Sequence, residues 1–224
     1  MIRFRRTACL LITVACVLPA AAQDAKLVSQ GGVEFYVFPF GSVQRKSVWE
    51  TSEIPVCWEN PAPEQAAFRA QVRQAVEDTW ERQSKVRFRG WGRCTAGVLG
   101  IHIRIADENP HVKALGRYLD GRPDGMVLNF TFKNFSPSCQ AQVEFCNKAI
   151  AVHEFGHAIG FAHEQNRPDA PPECKADSQG TTGDWNVTEY DLYSVMNYCN
   201  PSWNGDGKLS PRDVVTVQTL YGKP

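Results

Sequence analysis

The stretch His153-Glu154-Phe155-Gly156-His157-Ala158-Ile159-Gly160-Phe161-Ala162-His163 limits what this chain can fold into more than any other. Around it Ile150, Val152, Phe155 and Ile159 recur at helical spacing, which predicts a helix from about Asn147 to Ile159. On that helix His153 and His157 stand one turn apart on one face, about 6 Å along the axis, so both imidazoles can reach one ion. Gly160 supplies a left-handed helix stop, and three positions later His163 can swing back beneath the same ion. Three His plus one water make an open, catalytic zinc geometry. Glu154 is offset by one residue and can face that water, as a candidate base rather than a ligand. Core or surface histidines would account for the five-residue core of the pattern; the added Gly and third His leave that explanation little room.

The remaining chain reads as one α+β domain. Ile54–Trp58 has the look of a first strand, and Phe68, Val72, Val76 and Trp80 at four-residue intervals predict an amphipathic helix over 63–83 that covers a sheet. Val86–Phe88 and Ile101–Ile105 alternate apolar with polar and predict two more strands, with His102 on the solvent side. Residues 112–119 and 126–132 read as a hairpin across the breaker-rich turn 120–125. Ser210-Pro211-Arg212-Asp213 has a cap, a proline at the first helical position and an acid two further on, announcing a last helix. Between the two C-terminal helices lie mostly loops, which need a metal or disulfides to hold them. Asn204-Gly205-Asp206-Gly207 reads as a tight turn rather than a calcium loop.

At the start, Arg3, Arg5 and Arg6 precede an apolar run too short to span a bilayer, then Pro19 and Ala20–Ala22. This is the layout of a signal peptide over 1–22, so the expected locale is extracellular or periplasmic, with no membrane attachment after cleavage. A lipoprotein anchor at Cys16 is the rival. Residues 23–46, with Gly31-Gly32 and the pair Arg45-Lys46, read as a linker or short pro-segment before a domain over 47–224. Loss of the leader removes three Arg and no acid, leaving 21 basic against 24 acidic residues. That balance, with no basic run among aromatics, argues against nucleic acid as a partner.

Six Cys remain: Cys57, Cys94, Cys139, Cys146, Cys174 and Cys199. An exported chain with an even number suggests disulfides, though sequence alone does not select the pairing. Proximity along the chain favours 57 with 94, 139 with 146 and 174 with 199. No C-x-x-C pair is present, which disfavours a cysteine-zinc site.

The extended histidine pattern resembles that of the metzincin clan. Glu164, Gln165, Arg167, Pro168 and Asp169 directly after the third His, and Ser194-Val195-Met196-Asn197-Tyr198 downstream, resemble the astacin family more narrowly, in a minimal bacterial-type form. The resemblance implies a twisted mixed sheet, an active-site helix and a loop-rich C-terminal subdomain. It further implies one catalytic Zn2+ on His153, His157 and His163, Met196 as an apolar floor beneath the imidazoles, and Tyr198 as an extra ligand that stabilises the oxyanion. Glu164 would meet a newly cut N-terminus. The sequence departs from the family at Asn197, where a His is usual, and in its cysteine positions.

The function implied is a secreted zinc metalloendopeptidase, acting as a monomer on a protein or peptide laid antiparallel along an edge strand at residues 112–119. Two alternatives stay open: a catalytically idle zinc-binding or adhesion module, and a matrixin-like metzincin. Glu154 argues against the first, because a structural zinc site has no use for a carboxylate beside the water.

Overall fold

The computed structural model describes residues 26–30, 33–37, 40–175 and 178–224, with side chains placed from Ser42 onward. The predicted signal peptide and Cys16 lie outside the described residues. Two units are distinguished, Met1–Phe38 and Pro39–Pro224. Within the first, strands β1 (Lys26–Gln30) and β2 (Val33–Val37) pair antiparallel.

The second unit is built on a five-stranded sheet of order β5-β4-β6-β8-β7, formed by β4 (Glu53–Trp58), β5 (Arg87–Arg93), β6 (Ile101–Ile105), β7 (His111–Val112) and β8 (Arg122–Leu128). β4 pairs parallel with β5 and β6, and β6 with β8; only the edge strand β7 runs antiparallel. The parallel β4–β5 pair needs a long crossover, and α1 (Ala66–Val76), prolonged by a wide π turn over Glu77–Glu81, provides it. The four-residue stripe does what its spacing predicts: Val72, Val76 and Trp80 are fully buried and Phe68 packs against the core. Trp80 also donates its indole N–H to the carbonyl of Val152, 2.8 Å away on the next helix.

That helix, α3 (Val143–Ala158), starts four residues before the predicted Asn147 because the short α2 (Pro137–Gln140) and the Cys139–Cys146 disulfide lead straight into it. It is buried almost all round from Ala149 onward. The carbonyls at its end would lack partners in a buried setting, and distant residues satisfy them: Trp49 bonds Ala158, Tyr221 bonds Ile159 and Gln44 bonds Gly160. α5 (Pro211–Tyr221) ends the chain with the predicted capping box of Ser210 and Asp213.

Two expectations are corrected. Residues 112–119 are not a strand: β7 stops at Val112 and residues 116–119 form a 3-10 turn, since Gly116 adopts φ +52 with its Cα packed against the backbone of Ser47, where a Cβ would come within 1.8 Å of a carbonyl oxygen. His102 is not on the surface. It is 7% exposed, with Nδ1 2.8 Å from Glu59 Oε1 and Nε2 2.9 Å from the carbonyl of Val98. The end of the 23–46 segment carries a strand: β3 (Phe40–Val43) pairs with β9 (Trp185–Val187), and Arg45 donates its backbone N–H to Asp184 while its guanidinium lies over Trp185.

All three disulfides favoured by proximity are formed. Cys57–Cys94 joins the ends of β4 and β5, and Cys174–Cys199 ties the loop containing α4 (Pro172–Lys175) to the segment after Met196. Among the described residues no helix is long and apolar enough to cross a membrane.

Candidate metal centre and cleft

The fold brings His153 and His157 together from one face of α3 and His163 from the chain that leaves it. Gly160 has φ +102, a region that favours glycine. The outgoing residues are then clamped by β3, through Gln44 N to Gly160 O, Ala162 N to Ser42 O and a bridge between Val43 and Phe161. Glu164 N continues the clamp by donating to Met196 O. His163 Nε2 ends 3.2 Å from His153 Nε2 and 3.1 Å from His157 Nε2.

The outer nitrogens explain what that convergence means. His153 Nδ1 lies 2.8 Å from the carbonyl of Val195, His157 Nδ1 2.8 Å from that of Phe161 and His163 Nδ1 2.9 Å from that of Gln179. A carbonyl oxygen only accepts, so each Nδ1 carries the proton and each Nε2 presents a lone pair. Three lone pairs then meet with no proton between them. Desolvation holds all three imidazoles below their ordinary value, His157 well below it and His153 at about 3, in the neutral form that ligates metals. The donor set fits zinc: three imidazole nitrogens, oriented from behind by carbonyls, with one side left open.

Glu154 supplies the second mark. Its carboxyl is buried and burial pushes it up to about 8, while Oε2 has no hydrogen-bond partner. An orphaned buried carboxyl oxygen is costly, and a cation with its water beside it would relieve that cost. Tyr198 stacks on His153, ring centroids 5.5 Å apart, and sits 4.5 Å from His163, yet it remains 41% exposed with its phenol pushed up to about 12 by desolvation and by Glu154.

Met196 is fully buried beneath α3. A Cβ on Gly156 would come within 2.4 Å of its sulfur, so the residue between the two helical histidines has to be small. The turn that carries Met196 is held by a carboxylate the sequence marked only as a helix cap. Asp213 accepts from Ser194 Oγ (2.6 Å), Val195 N (2.9 Å) and Ser210 N (2.9 Å), linking α5 to the turn behind the imidazoles. Asn197, the departure from the family pattern, is buried and bonds Tyr190 OH, Asp191 O and Cys199 N. Glu164 is buried too: Arg167 lies 3.4 Å away and Asp191 N donates to it. The parts played by Asp213 and Glu164 escaped sequence reading because Val195 lies 18 residues from the first and Asp191 27 from the second.

Two cavities flank the centre. One, of about 310 Å³, lies along residues 109–115 and reaches Glu154, His157, His163 and Tyr198. The other, of about 400 Å³, shares Glu154 and Tyr198 but touches the edge only at Asn109 and Pro110. The expected edge strand is therefore a short β7 with its flanking residues.

Comparison with known proteins agrees with this geometry. The model for the astacin family of peptidases matches residues 135–222. A zinc metalloproteinase of Haemonchus contortus, nas-36, is 36% identical over 92 residues, covering 35% of this chain and 15% of its own length. The interstitial collagenase of Bos taurus is 24% identical over 200 residues, covering 83% of this chain and 35% of its own. This chain thus spans about a third or less of the length of those curated relatives. The structure of myroilysin superposes with a TM-score of 0.60 at 18% identity, covering 82% of this chain and all of that one, which shows a shared fold. The motif-bearing region is thus similar to the astacin peptidases over residues 135–222, and the chain shares the fold of myroilysin.

Proposed function

We propose that this protein is a secreted zinc metalloendopeptidase. The observation that carries the reading is the meeting of three unprotonated Nε2 atoms, that of His163 within 3.2 Å of the other two, beside an unpartnered, buried Glu154 carboxyl oxygen. His153, His157 and His163 would hold the zinc. When bound, zinc lowers the pKa of a water toward about 7 and polarises a carbonyl. Glu154 Oε2 takes the proton of the attacking water and delivers it to the leaving amine. The Tyr198 hydroxyl, kept protonated by its raised pKa, donates to the carbonyl oxygen as charge develops there. The backbone carbonyls of Val195, Phe161 and Gln179 fix the imidazoles so that none has to reorient.

Cavities on both sides of Glu154 support action within a chain rather than at its end. The substrate is a protein or peptide extended antiparallel to β7, adding a strand to the open edge of the sheet. Three disulfides and a signal-peptide layout support export. Casein cleavage and zinc content separate this reading from an idle binding module. Wild type should cleave; Glu154→Ala should keep its zinc and lose at least about a hundredfold in rate. Zinc-loaded protein that never cleaves would support the idle module. Tyr198→Phe, with zinc nearly intact and turnover reduced, would speak for the astacin-like role.

A further inference from the structure

The cavity shared by Glu154 and the far end of the cleft has walls the reaction does not use. Phe135, Ile150 and Trp203 form them, with Pro110 at the edge. Phe135 is 38% and Trp203 43% exposed, large apolar faces left bare beside the candidate centre. Phe145 backs Trp203, ring centroids 6.2 Å apart. Glu154 is the sole acidic side chain on the lining, and Asn109, Asn204 and Gln179 complete the neutral rim.

Trp203 is carried by an unusual piece of chain. Asn204, Gly205, Asp206 and Gly207 have φ of +47, +57, +53 and +68, four successive left-handed residues, two of which are not glycine. Such backbone persists only where its surroundings hold it. Here Gly205 N bonds Ser202 O, Lys208 N bonds Gly205 O, and Gly207 lies so close to α3 that a Cβ would meet Ala149 Cα at 3.0 Å. Trp203 is thus a fixed wall, anchored to the helix that bears His153.

Direction along the cleft follows from the edge. Residues 111–115 border only the first cavity, whereas the second meets the edge at Asn109 and Pro110. A peptide antiparallel to β7 enters past Leu115 and leaves past Asn109. Its residues after the cut therefore lie in the second cavity.

We infer that Phe135, Ile150 and Trp203 form a subsite that selects a bulky apolar or aromatic side chain immediately after the scissile bond, and rejects an acidic one. The inference rests on the peptidase reading and on the antiparallel substrate it uses. Burying such a side chain against these walls favours it over Gly by roughly 10- to 100-fold in kcat/KM. An acid would meet a lining that holds no Lys or Arg and already carries the Glu154 carboxyl.

A peptide library digested by the full zinc-loaded protein tests this, with cut sites read by mass spectrometry. Expected is enrichment of Phe, Leu or Tyr directly after the cut, its collapse in Trp203→Ala with cleavage retained, and its return in Trp203→Phe. Cleavage without that enrichment, enrichment before the cut instead, or an unchanged profile in Trp203→Ala overturns the subsite while leaving the peptidase reading intact. Binding gives the converse separation: Glu154→Gln should bind a peptide with Phe at that position at least about tenfold tighter than its Gly counterpart. Selective binding with no cleavage by wild type would sink the peptidase and keep the subsite; equal binding of the two peptides would sink the subsite.

Discussion

Residues 53–159 and residues 160–210 bury different kinds of atom. The first stretch fills its interior with Trp58, Trp80, Ile54, Ile101, Ile103, Phe88 and Phe155, in strands and helices whose backbone groups bond one another. The second buries His163, Glu164, Gln165, Arg167, Asp191, Ser194 and Asn197, and has little regular structure. Its backbone is satisfied by side chains instead: Asp213 on the Met196 turn, Asn197 on Asp191 and Cys199, Asn166 on Gln179. An apolar core tolerates exchange of like for like. A buried polar network does not, because each lost partner leaves a desolvated group behind. The second stretch holds one histidine and the turn beneath all three, so precision is bought there at the cost of tolerance.

The contrast can be broken most forcefully at Arg167. Arg167→Leu leaves Glu164 buried without its cation and strips Asp169 of a bidentate partner, so a loss of about 3–5 kcal/mol is expected in urea unfolding. Adding Glu164→Leu should restore part of it; a single-variant loss under about 1 kcal/mol would show that the network is not what holds this stretch. Disulfides come next. Replacing Cys174 and Cys199 by Ser opens a 25-residue loop and should cost about 3.5 kcal/mol, against about 2.4 for Cys139 and Cys146 with a separation of 7. Equal losses would mean that the loop region is pinned without its covalent tie.

In the sheet, Ile103→Val should cost only about 1 kcal/mol although the residue is fully buried, which thermal unfolding will register. A loss as large as that at Arg167 would erase the distinction. The smallest effect concerns pH. The hydrogen bonds from Arg167 hold the Asp169 carboxyl below its ordinary 3.8, so the stabilisation is present above that value and fades as pH falls through the folded one. Asp169→Asn should remove that contribution at neutrality and flatten the stability profile below about pH 4.

Periodic segments were legible because their partners are themselves. The stripe Phe68, Val72, Val76, Trp80 announces which face of α1 is inside, and Ser210 with Asp213 announces where α5 begins. Segment 112–119 was not legible, because the turn at 120–125 suggests a hairpin strand before it while a contact between Gly116 and Ser47, 69 residues apart, decides otherwise. His102 was misplaced for a similar reason: strand alternation gives the side, but Glu59 and Val98 cover that side. The candidate site shows the same division. The histidines could be picked out, whereas the carbonyls of Val195 and Gln179 that set their tautomers could not.

The sequence by itself determined the donor set, because one helical turn between His153 and His157 and a glycine before His163 are short-range facts of covalent geometry. It also favoured the disulfide pairing, since short loops close most readily. Only the tertiary structure decided that three lone pairs converge beside an orphaned carboxyl, that Asp213 and Asn197 lock the turn beneath them, and that Trp203 stands as a wall next to Glu154. Several of these join residues far apart in the chain, such as Asp213 with Val195, and such contacts cannot be read from local spacing.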